Sequence, residues 1–291
     1  MRLPRSIAAL AWLSLAALQG CSSSKPLDGS NGAAAGASGA GNAEQCTPPG
    51  YHVDSDAIEV DEVQAVLHDP SGAAAANLPI QVCGTNTCTY GFSSDKGVVD
   101  STEHAMLVLP AFKYGDGLDF AELAVPITQS KQDLGDIVVL PLPDYADGAA
   151  FPKSGAMTNG DLTLFIDKNT TVTQNVLSYE DSQQVFRSVA IPVADSGQAL
   201  DPSFGFELAY AVAPLDTLFC PPARLSLKNT PNWDPGSEVE VFIQGLDADE
   251  GWAPYRSWVK VADASVSSDG SSIDTTSGGI PILSSIAVRR K

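Results

Sequence analysis

Histidine is scarce in this sequence, and its scarcity removes several kinds of active site. Of 291 residues only His52, His68 and His104 are histidine, and none is spaced as H-x-x-x-H or H-E-x-x-H, the patterns of zinc-binding helices. The G-x-S-x-G turn that exposes the serine of many hydrolases is also missing. Ser257 and Lys260 fit S-x-x-K, but an alternating segment points them to opposite faces. We expect hydrogen-bonded surface histidines and no enzyme activity.

Positive charge is the second scarcity. Lys and Arg number 16 against 35 Asp and Glu, which gives a net charge of −19. A surface this acidic repels phosphate backbones, so we expect no nucleic-acid partner. The simplest role of the charge is to keep an exported body soluble.

A long apolar run is also missing. The apolar run at residues 7–18 is shorter than the roughly 20 residues that a membrane-spanning helix needs. It follows Arg2 and Arg5 and ends in small residues, which is the order of a secretory signal peptide.

The four residues 18–21, LQGC, resemble the signal of bacterial lipoproteins, which are cut before the cysteine and lipidated on it. The resemblance implies that residues 1–20 are removed and that Cys21 carries covalent lipid, palmitate among it, as a membrane anchor. No other cofactor is expected. Ser22 in place of Asp implies the outer membrane of the bacterial cell envelope, with its periplasmic and external faces both left open. Residues 21–45 are rich in Gly, Ala and Ser and should form a lipidated flexible tether, because they cannot bury enough apolar surface to fold.

Four further cysteines favour two disulfides. An even number in an exported chain is typical of disulfide bonding, and four cysteines allow three pairings. Between Cys83 and Cys88 lie four turn-forming residues flanked by strand-like segments, so these two can face each other across a hairpin. That leaves Cys46 with Cys220. A metal site is the alternative, but the paired short spacings and the histidines it needs are absent.

The body after residue 45 shows many short segments of period two. Apolar and polar residues alternate at 162–166, 223–228 and 239–243, and clusters of Gly, Pro, Asp and Asn separate such segments. This pattern is typical of antiparallel strands with one buried face. The sequence therefore predicts an all-β body, with a length that suits two β-sandwich domains.

Roughly residues 55–142 resemble the carboxypeptidase regulatory-like, transthyretin-like β-sandwich. They show a strand, a D-x-x-G turn at 69–72, a P-I-x-V strand and a D-x-G turn at 95–97. The resemblance implies that residues 46–142 form a sandwich without catalysis and without the zinc site of the peptidase itself.

Residues 150–285 resemble the β-sandwich domain shared by zonula-occludens and netrin-receptor proteins. Pro214, Phe219 and Pro222 match its P-x-x-x-x-F-x-x-P segment. The resemblance implies a second sandwich with C-terminal strands over residues 143–291. Some members cleave themselves beside a histidine, but residues 218–220 read Leu-Phe-Cys, so self-cleavage is not expected.

Four large aromatic residues lie within 26 positions, namely Trp233, Trp252, Tyr255 and Trp258. Trp252 and Tyr255 fall in a loop, where exposed rings can stack on sugar faces or insert into a protein interface. The alternative, which we favour, is that they cap the end of a sandwich. Trp258 lies on a strand and is expected in the core.

One acidic turn is a candidate calcium site. Asp247, Asp249 and Glu250 can supply some of the six to eight oxygen ligands that calcium takes. No complete D-x-D-x-D-G loop occurs in the sequence. We favour a solvated turn without metal and keep calcium as the alternative.

Three functions follow from these patterns. The main hypothesis is a non-enzymatic surface lipoprotein, an adhesion, scaffold or binding module whose partner is an envelope protein or a polysaccharide. The alternative is a carbohydrate-binding accessory that uses Trp252 and Tyr255. An unrecognised hydrolase is the least favoured, although two acids from separate strands can converge without any local motif.

Overall fold

A computed structural model describes residues 46–51, 53, 55–174, 180–196 and 200–291. These residues form β-strands and short 3-10 helices with no α-helix, which confirms the all-β fold class. Within the same ranges no helix is long and apolar enough to cross a membrane. The predicted signal peptide, Cys21 and the tether lie outside the described residues.

The first half of the body contains two small sheets. One has the order β4-β1-β7 and the other the order β3-β2-β5-β6. All of these pairs are antiparallel except β1 with β7, which run parallel and depart from the antiparallel prediction. The strands are β1 (Ala57–His68), β2 (Pro79–Cys83), β3 (Cys88–Phe92), β4 (Val98–Val108), β5 (Ala111–Tyr114), β6 (Leu123–Pro126) and β7 (Lys131–Val138).

The second half forms one large antiparallel sheet. Its order is β8-β12-β13-β19-β15-β16-β17-β14-β10-β9, and β11 and β18 also pair with β14. The strands are β8 (Ala149–Ala150), β9 (Gly155–Asn159), β10 (Leu162–Ile166), β11 (Thr171–Thr173), β12 (Val185–Ile191), β13 (Leu208–Ala213), β14 (Leu218–Lys228), β15 (Glu238–Gln244), β16 (Trp258–Val266), β17 (Ser272–Gly278), β18 (Ile280–Ile282) and β19 (Ile286–Arg290). The 3-10 helices are Tyr145–Asp147, Asp181–Gln183, Val193–Asp195 and Pro202–Phe204.

Two predicted turns have the expected chemistry. Asp69 Oδ1 accepts hydrogen bonds from the backbone N–H groups of Ser71 (2.8 Å) and Ala73 (3.0 Å), which closes the turn after β1. Gly97 has a φ of +73°, and a Cβ there would lie 2.1 Å from the carbonyl oxygen of Leu67. Only glycine fits at this position, because the backbone is left-handed and another strand passes against it.

The two halves of the body share apolar packing. The cluster built on β1, β2 and β5 also contains Phe206, Phe242 and Trp258 from the second half. Phe206 meets both of these rings edge-on, at centroid distances of 5.2 Å and 5.0 Å. Trp258 is therefore a core residue, as predicted, while a domain boundary between residues 142 and 143 stays a prediction.

Polar side chains also join the halves. The buried side chain of Gln244, at the end of β15, donates from Nε2 to the carbonyl oxygen of Ala124 (2.8 Å) and accepts from its N–H at Oε1 (3.3 Å). Arg256 donates from Nη1 to the carbonyl oxygens of Pro110 (2.7 Å) and Ile127 (2.8 Å). The loop after β15 is thereby fixed against β5 and β6.

Candidate functional site

Both predicted disulfides are present. Cys83 and Cys88 close the β2–β3 hairpin with their Cα atoms 4.0 Å apart. Cys46 and Cys220, separated by 174 positions, are bonded with a Cα–Cα distance of 5.1 Å. The second bond fixes the first described residue to β14.

A cavity of about 450 Å³ lies beside this disulfide, and we call it the Trp252 cavity. It is bordered by the segment after Cys46, by β14, β16 and the β17–β18 connection, and by the loop that carries Trp252. Apolar groups dominate the wall, with three charged side chains among them. The lining residues are Pro49, Tyr51, Asp167, Pro221, Pro222, Arg224, Trp252, Val259, Lys260, Val261, Gly278, Gly279 and Pro281.

Two aromatic rings are brought to this cavity by one local contact. The N–H of Gly50 donates to the carbonyl oxygen of Gly251 (3.2 Å). Tyr51 follows Gly50 and Trp252 follows Gly251, and both side chains line the Trp252 cavity. Gly251 has a φ of +68°, and a Cβ there would lie 3.0 Å from the Pro48 side chain. Trp252 is half-buried and Tyr51 is 41% exposed, so both rings have surface available to a ligand.

The polar groups of the cavity are held by ion pairs. Arg224 Nη2 lies 3.2 Å from Asp167 Oδ1. Lys260 Nζ lies 2.7 Å from Asp263 Oδ1 and 3.2 Å from Glu240 Oε1. The hydrogen bond with Asp263 is the main reason that the pKa of Lys260 is raised, so its ammonium stays charged at neutral pH. The cavity thus offers donors and an acceptor around an apolar, ring-lined wall.

The structure separates the two aromatic residues of the predicted ligand loop. Trp252 lines the Trp252 cavity, whereas Tyr255 does not. Tyr255 is only 7% exposed, and its hydroxyl donates to the carbonyl oxygen of Cys83 (3.4 Å). Trp252 and Tyr255 therefore do not form one pair of exposed rings. Tyr255 packs the loop against the β2–β3 hairpin, in keeping with the favoured possibility of a buried ring, and Tyr51 is the second ring beside Trp252.

The acidic turn at residues 247–250 is partly buried, at Glu250. Glu250 Oε2 accepts from the N–H of Leu246 (3.3 Å), and Glu250 Oε1 is buried without a partner in the described structure. Burial raises the pKa of Glu250 to about 8, and the charges of Asp216 and Asp247 add to the rise. In the described ranges no group of three or more His, Cys, Asp or Glu side chains is arranged to hold a metal ion, the candidate calcium turn included.

Sequence reasoning missed a buried ion pair near this turn. Lys113 Nζ lies 2.7 Å from Glu122 Oε1, and the two side chains are only 9% and 11% exposed. Burial lowers the pKa of Lys113, but the charge and hydrogen bond of Glu122 outweigh it and leave the pKa above its ordinary value. No sequence signal joins these residues, because they lie on and beside different strands, β5 and β6.

The ion pair lies in a depression of the β3-β2-β5 face that we call the Tyr90 groove. It consists of two adjacent cavities, of about 360 Å³ and about 270 Å³, which share Gln81, Tyr90, Lys113 and Asp247. Tyr90 is 77% exposed at its rim.

The histidines take up ordinary hydrogen bonds. His68 Nδ1 lies 3.0 Å from the carbonyl oxygen of Asp69, at the end of β1. His104 Nδ1 lies 3.1 Å from Asp61 Oδ1, where the β1–β4 register shifts. His104 therefore lies inside β4 at a bulge. His52 lies outside the described residues.

Comparison with known proteins gives little. No protein-family model matches the chain, and no curated protein matches it. One solved structure with detectable similarity is a "putative carbohydrate binding protein" from Bacteroides uniformis, with 11% identity over 59% of this chain and 90% of the other, and a TM-score of 0.22. At that score the likeness assigns neither a fold family nor a function to this chain.

Proposed function

We propose that the protein is a non-enzymatic binding module of the bacterial cell envelope and that it binds carbohydrate in the Trp252 cavity. One observation carries the proposal. Trp252 and Tyr51 present ring surface to a single cavity of about 450 Å³ whose polar groups are Arg224, Asp167 and Lys260. Pockets of roughly 300–1,000 Å³ with apolar walls and a few convergent polar groups are typical ligand sites.

The chemistry of this wall suits a sugar ring. A pyranose has apolar C–H faces, which pack on aromatic rings, and a rim of hydroxyl groups. Arg224 and Lys260 can donate to such hydroxyls and Asp167 can accept from them. The aromatic faces thus provide apolar contact and the ion-paired side chains set orientation.

The proposal includes attachment to the outer membrane through lipid on Cys21, with residues 22–45 as a spacer. This part is supported by the LQGC segment at 18–21 and by the composition of the spacer. With residues 1–20 removed, the chain carries a net charge of −21, since those residues contain two Arg and no acid. Such a body is repelled by anionic lipid headgroups, so a covalent lipid is the suitable anchor.

A glycan array probed with the protein lacking residues 1–21 tests this function. Trp252→Ala should reduce affinity for the best soluble glycan by about tenfold, measured by titration calorimetry, because it removes a stacking ring. Phe92→Ala is the matched control, since Phe92 is an exposed ring that does not line the cavity. Absence of any array signal, or equal affinity of Trp252→Ala and the unmodified protein, would contradict the proposal.

The same purified protein tests whether bound glycans are hydrolysed. Each bound glycan is incubated with the protein and analysed by mass spectrometry for shortened products. We expect none. Products that vanish when a single Asp or Glu is replaced would show a hydrolase instead.

A further inference from the structure

Building on the proposed function, we infer that the Trp252 cavity is one end of an extended cleft, and that the cleft binds a neutral polysaccharide chain along its length. The inference rests on how neighbouring cavities share walls. A depression of about 310 Å³ shares Tyr51 with the Trp252 cavity and shares Thr85, Ala248 and Tyr255 with the Tyr90 groove. The three depressions therefore follow one another around the loop between β15 and β16.

The size of the cleft exceeds a single small ligand. The Trp252 cavity, the connecting depression and the two parts of the Tyr90 groove have volumes of about 450, 310, 360 and 270 Å³. Their combined volume exceeds roughly 1,000 Å³, the upper end of the volume range of pockets that bind one small molecule. A chain of several sugar units matches this succession better than one sugar does.

The far end of the cleft has the same chemistry as the near end. Tyr90 pairs with Gln81, and Gln81 pairs with Lys113, so the three side chains form one row on one face of β3, β2 and β5. With neighbouring strands about 4.8 Å apart, the row is roughly 10 Å long. An exposed ring at its edge and planar or charged polar groups on its floor can again receive a sugar face and its hydroxyls.

The orientation of the row favours a glycan over a polypeptide. A polypeptide that joins a sheet does so along a strand edge, through backbone hydrogen bonds. Here the contacting groups are side chains that stand on the sheet face and cross three strands. The cleft therefore offers ring faces and side-chain hydrogen bonds without a backbone ladder.

The charges decide which glycan fits. Lys113 is paired with Glu122, and Asp116 and Asp247 also line the Tyr90 groove. These carboxylates repel uronic acids and other anionic sugars at this end. A neutral chain meets no such repulsion, so it is the expected ligand.

The test is a chain-length series with cello-, chito- and malto-oligosaccharides from disaccharide to octasaccharide, and with oligogalacturonides as the anionic comparison. For the neutral family that binds, affinity should rise with length beyond the disaccharide. Tyr90→Ala should leave the disaccharide unaffected and weaken the octasaccharide about tenfold, whereas Trp252→Ala should weaken every length. Phe92→Ala is again the control, and Gln81→Ala is a second variant in the row.

The outcomes separate the two proposals. Affinity could be independent of chain length, with Tyr90→Ala and Gln81→Ala binding as the unmodified protein does. That result would contradict the extended cleft and would leave the Trp252 cavity as the binding site. If no oligosaccharide binds at any length, the proposed function itself fails. Oligogalacturonides that bind as tightly as neutral chains would overturn the assignment of a neutral ligand. Thermal unfolding of each variant checks that it folds, and Tyr90 is exposed enough that its loss removes no core contact.

Discussion

Glu250 is an acidic residue in a polar turn, yet its carboxyl group is largely buried. Its pKa of about 8 is due first to burial and then to the negative charges of Asp216 and Asp247. Its Oε1 atom has no partner in the described structure, and ionising it leaves a buried charge unpaired. A carboxyl group in such a place is protonated at neutral pH and acts as a small polar packing group.

This gives a prediction about stability and pH. The folded chain keeps a proton on Glu250 between pH 4.5, the ordinary pKa, and about 8. The contribution of Glu250 to the free energy of unfolding is therefore fully present below about pH 4.5 and is lost as the pH rises through 8. Glu250→Gln keeps the shape and stays neutral, so we expect it to be more stable than the unmodified protein at pH 8, by on the order of a few kcal/mol, and equally stable at pH 5.

Thermal unfolding at the two pH values measures this difference. Glu59→Gln, at an exposed position of β1, is the control for the removal of one surface carboxylate. The same change in Tm at pH 5 and pH 8 for Glu250→Gln would refute the prediction.

At the scale of elements, the most unusual contact is a side chain that takes the place of a strand. β6 is the last strand of the β3-β2-β5-β6 sheet, and its outer edge is buried against the second half. The amide of Gln244 satisfies both the N–H and the carbonyl oxygen of Ala124 there. The sheet ends without unpaired buried backbone at this residue, because one amide has the same donor and acceptor as a peptide group.

Gln244→Leu should remove this pairing while filling a similar volume. Each of the two backbone groups left buried and unsatisfied costs about 1–3 kcal/mol, so we expect the free energy of unfolding to fall by about 2–6 kcal/mol. Chemical denaturation measures the loss. Gln64→Leu, on an exposed site of β1, should change stability by less than about 0.5 kcal/mol. A Gln244→Leu protein as stable as this control would show that water replaces the amide.

The elements themselves could be predicted from the sequence, but their contacts could not. Period two placed strands at 162–166, 223–228 and 239–243, because alternate residues of β10 and of the second half of β14 are buried. In β15 the alternation marks only the first part of the strand, since both faces are buried from Val241 onward. The hairpin disulfide was predictable because a turn separates its cysteines. The approach of Tyr51 to Trp252 depends on a tertiary hydrogen bond between Gly50 and Gly251. The pair of Lys113 and Glu122 likewise depends on how β5 and β6 are packed, which no local pattern encodes.

In the proposed arrangement of the whole molecule, the β-body follows a spacer that is anchored by lipid on Cys21. Replacing Cys21, the proposed lipidation site, should separate the body from the membrane. We therefore expect Cys21→Ala to leave the protein uncleaved or to move it from the membrane fraction to the soluble fraction. Cell fractionation with mass spectrometry of the N-terminus measures both. Ser23→Ala is the control and should remain membrane-bound and lipidated.

An unlipidated N-terminus upstream of Cys21 in the unmodified protein would contradict this prediction. In that case the body could still bind glycan, because the Trp252 cavity begins only after Cys46. Anchoring and binding are therefore separately testable.

If the chain is anchored through Cys21 as proposed, the disulfide between Cys46 and Cys220 also sets where mechanical force enters the body. If a held ligand and the envelope move apart, tension reaches the body at Cys46. From Cys46, the disulfide leads directly to Cys220 in β14. The backbone reaches its first strand, β1, only after residues 47–56. β14 is paired with β10, β11, β17 and β18, so the load would pass into several hydrogen-bonded strand pairs. The segment that carries Pro49 and Tyr51, two residues of the Trp252 cavity, is bypassed by this direct path.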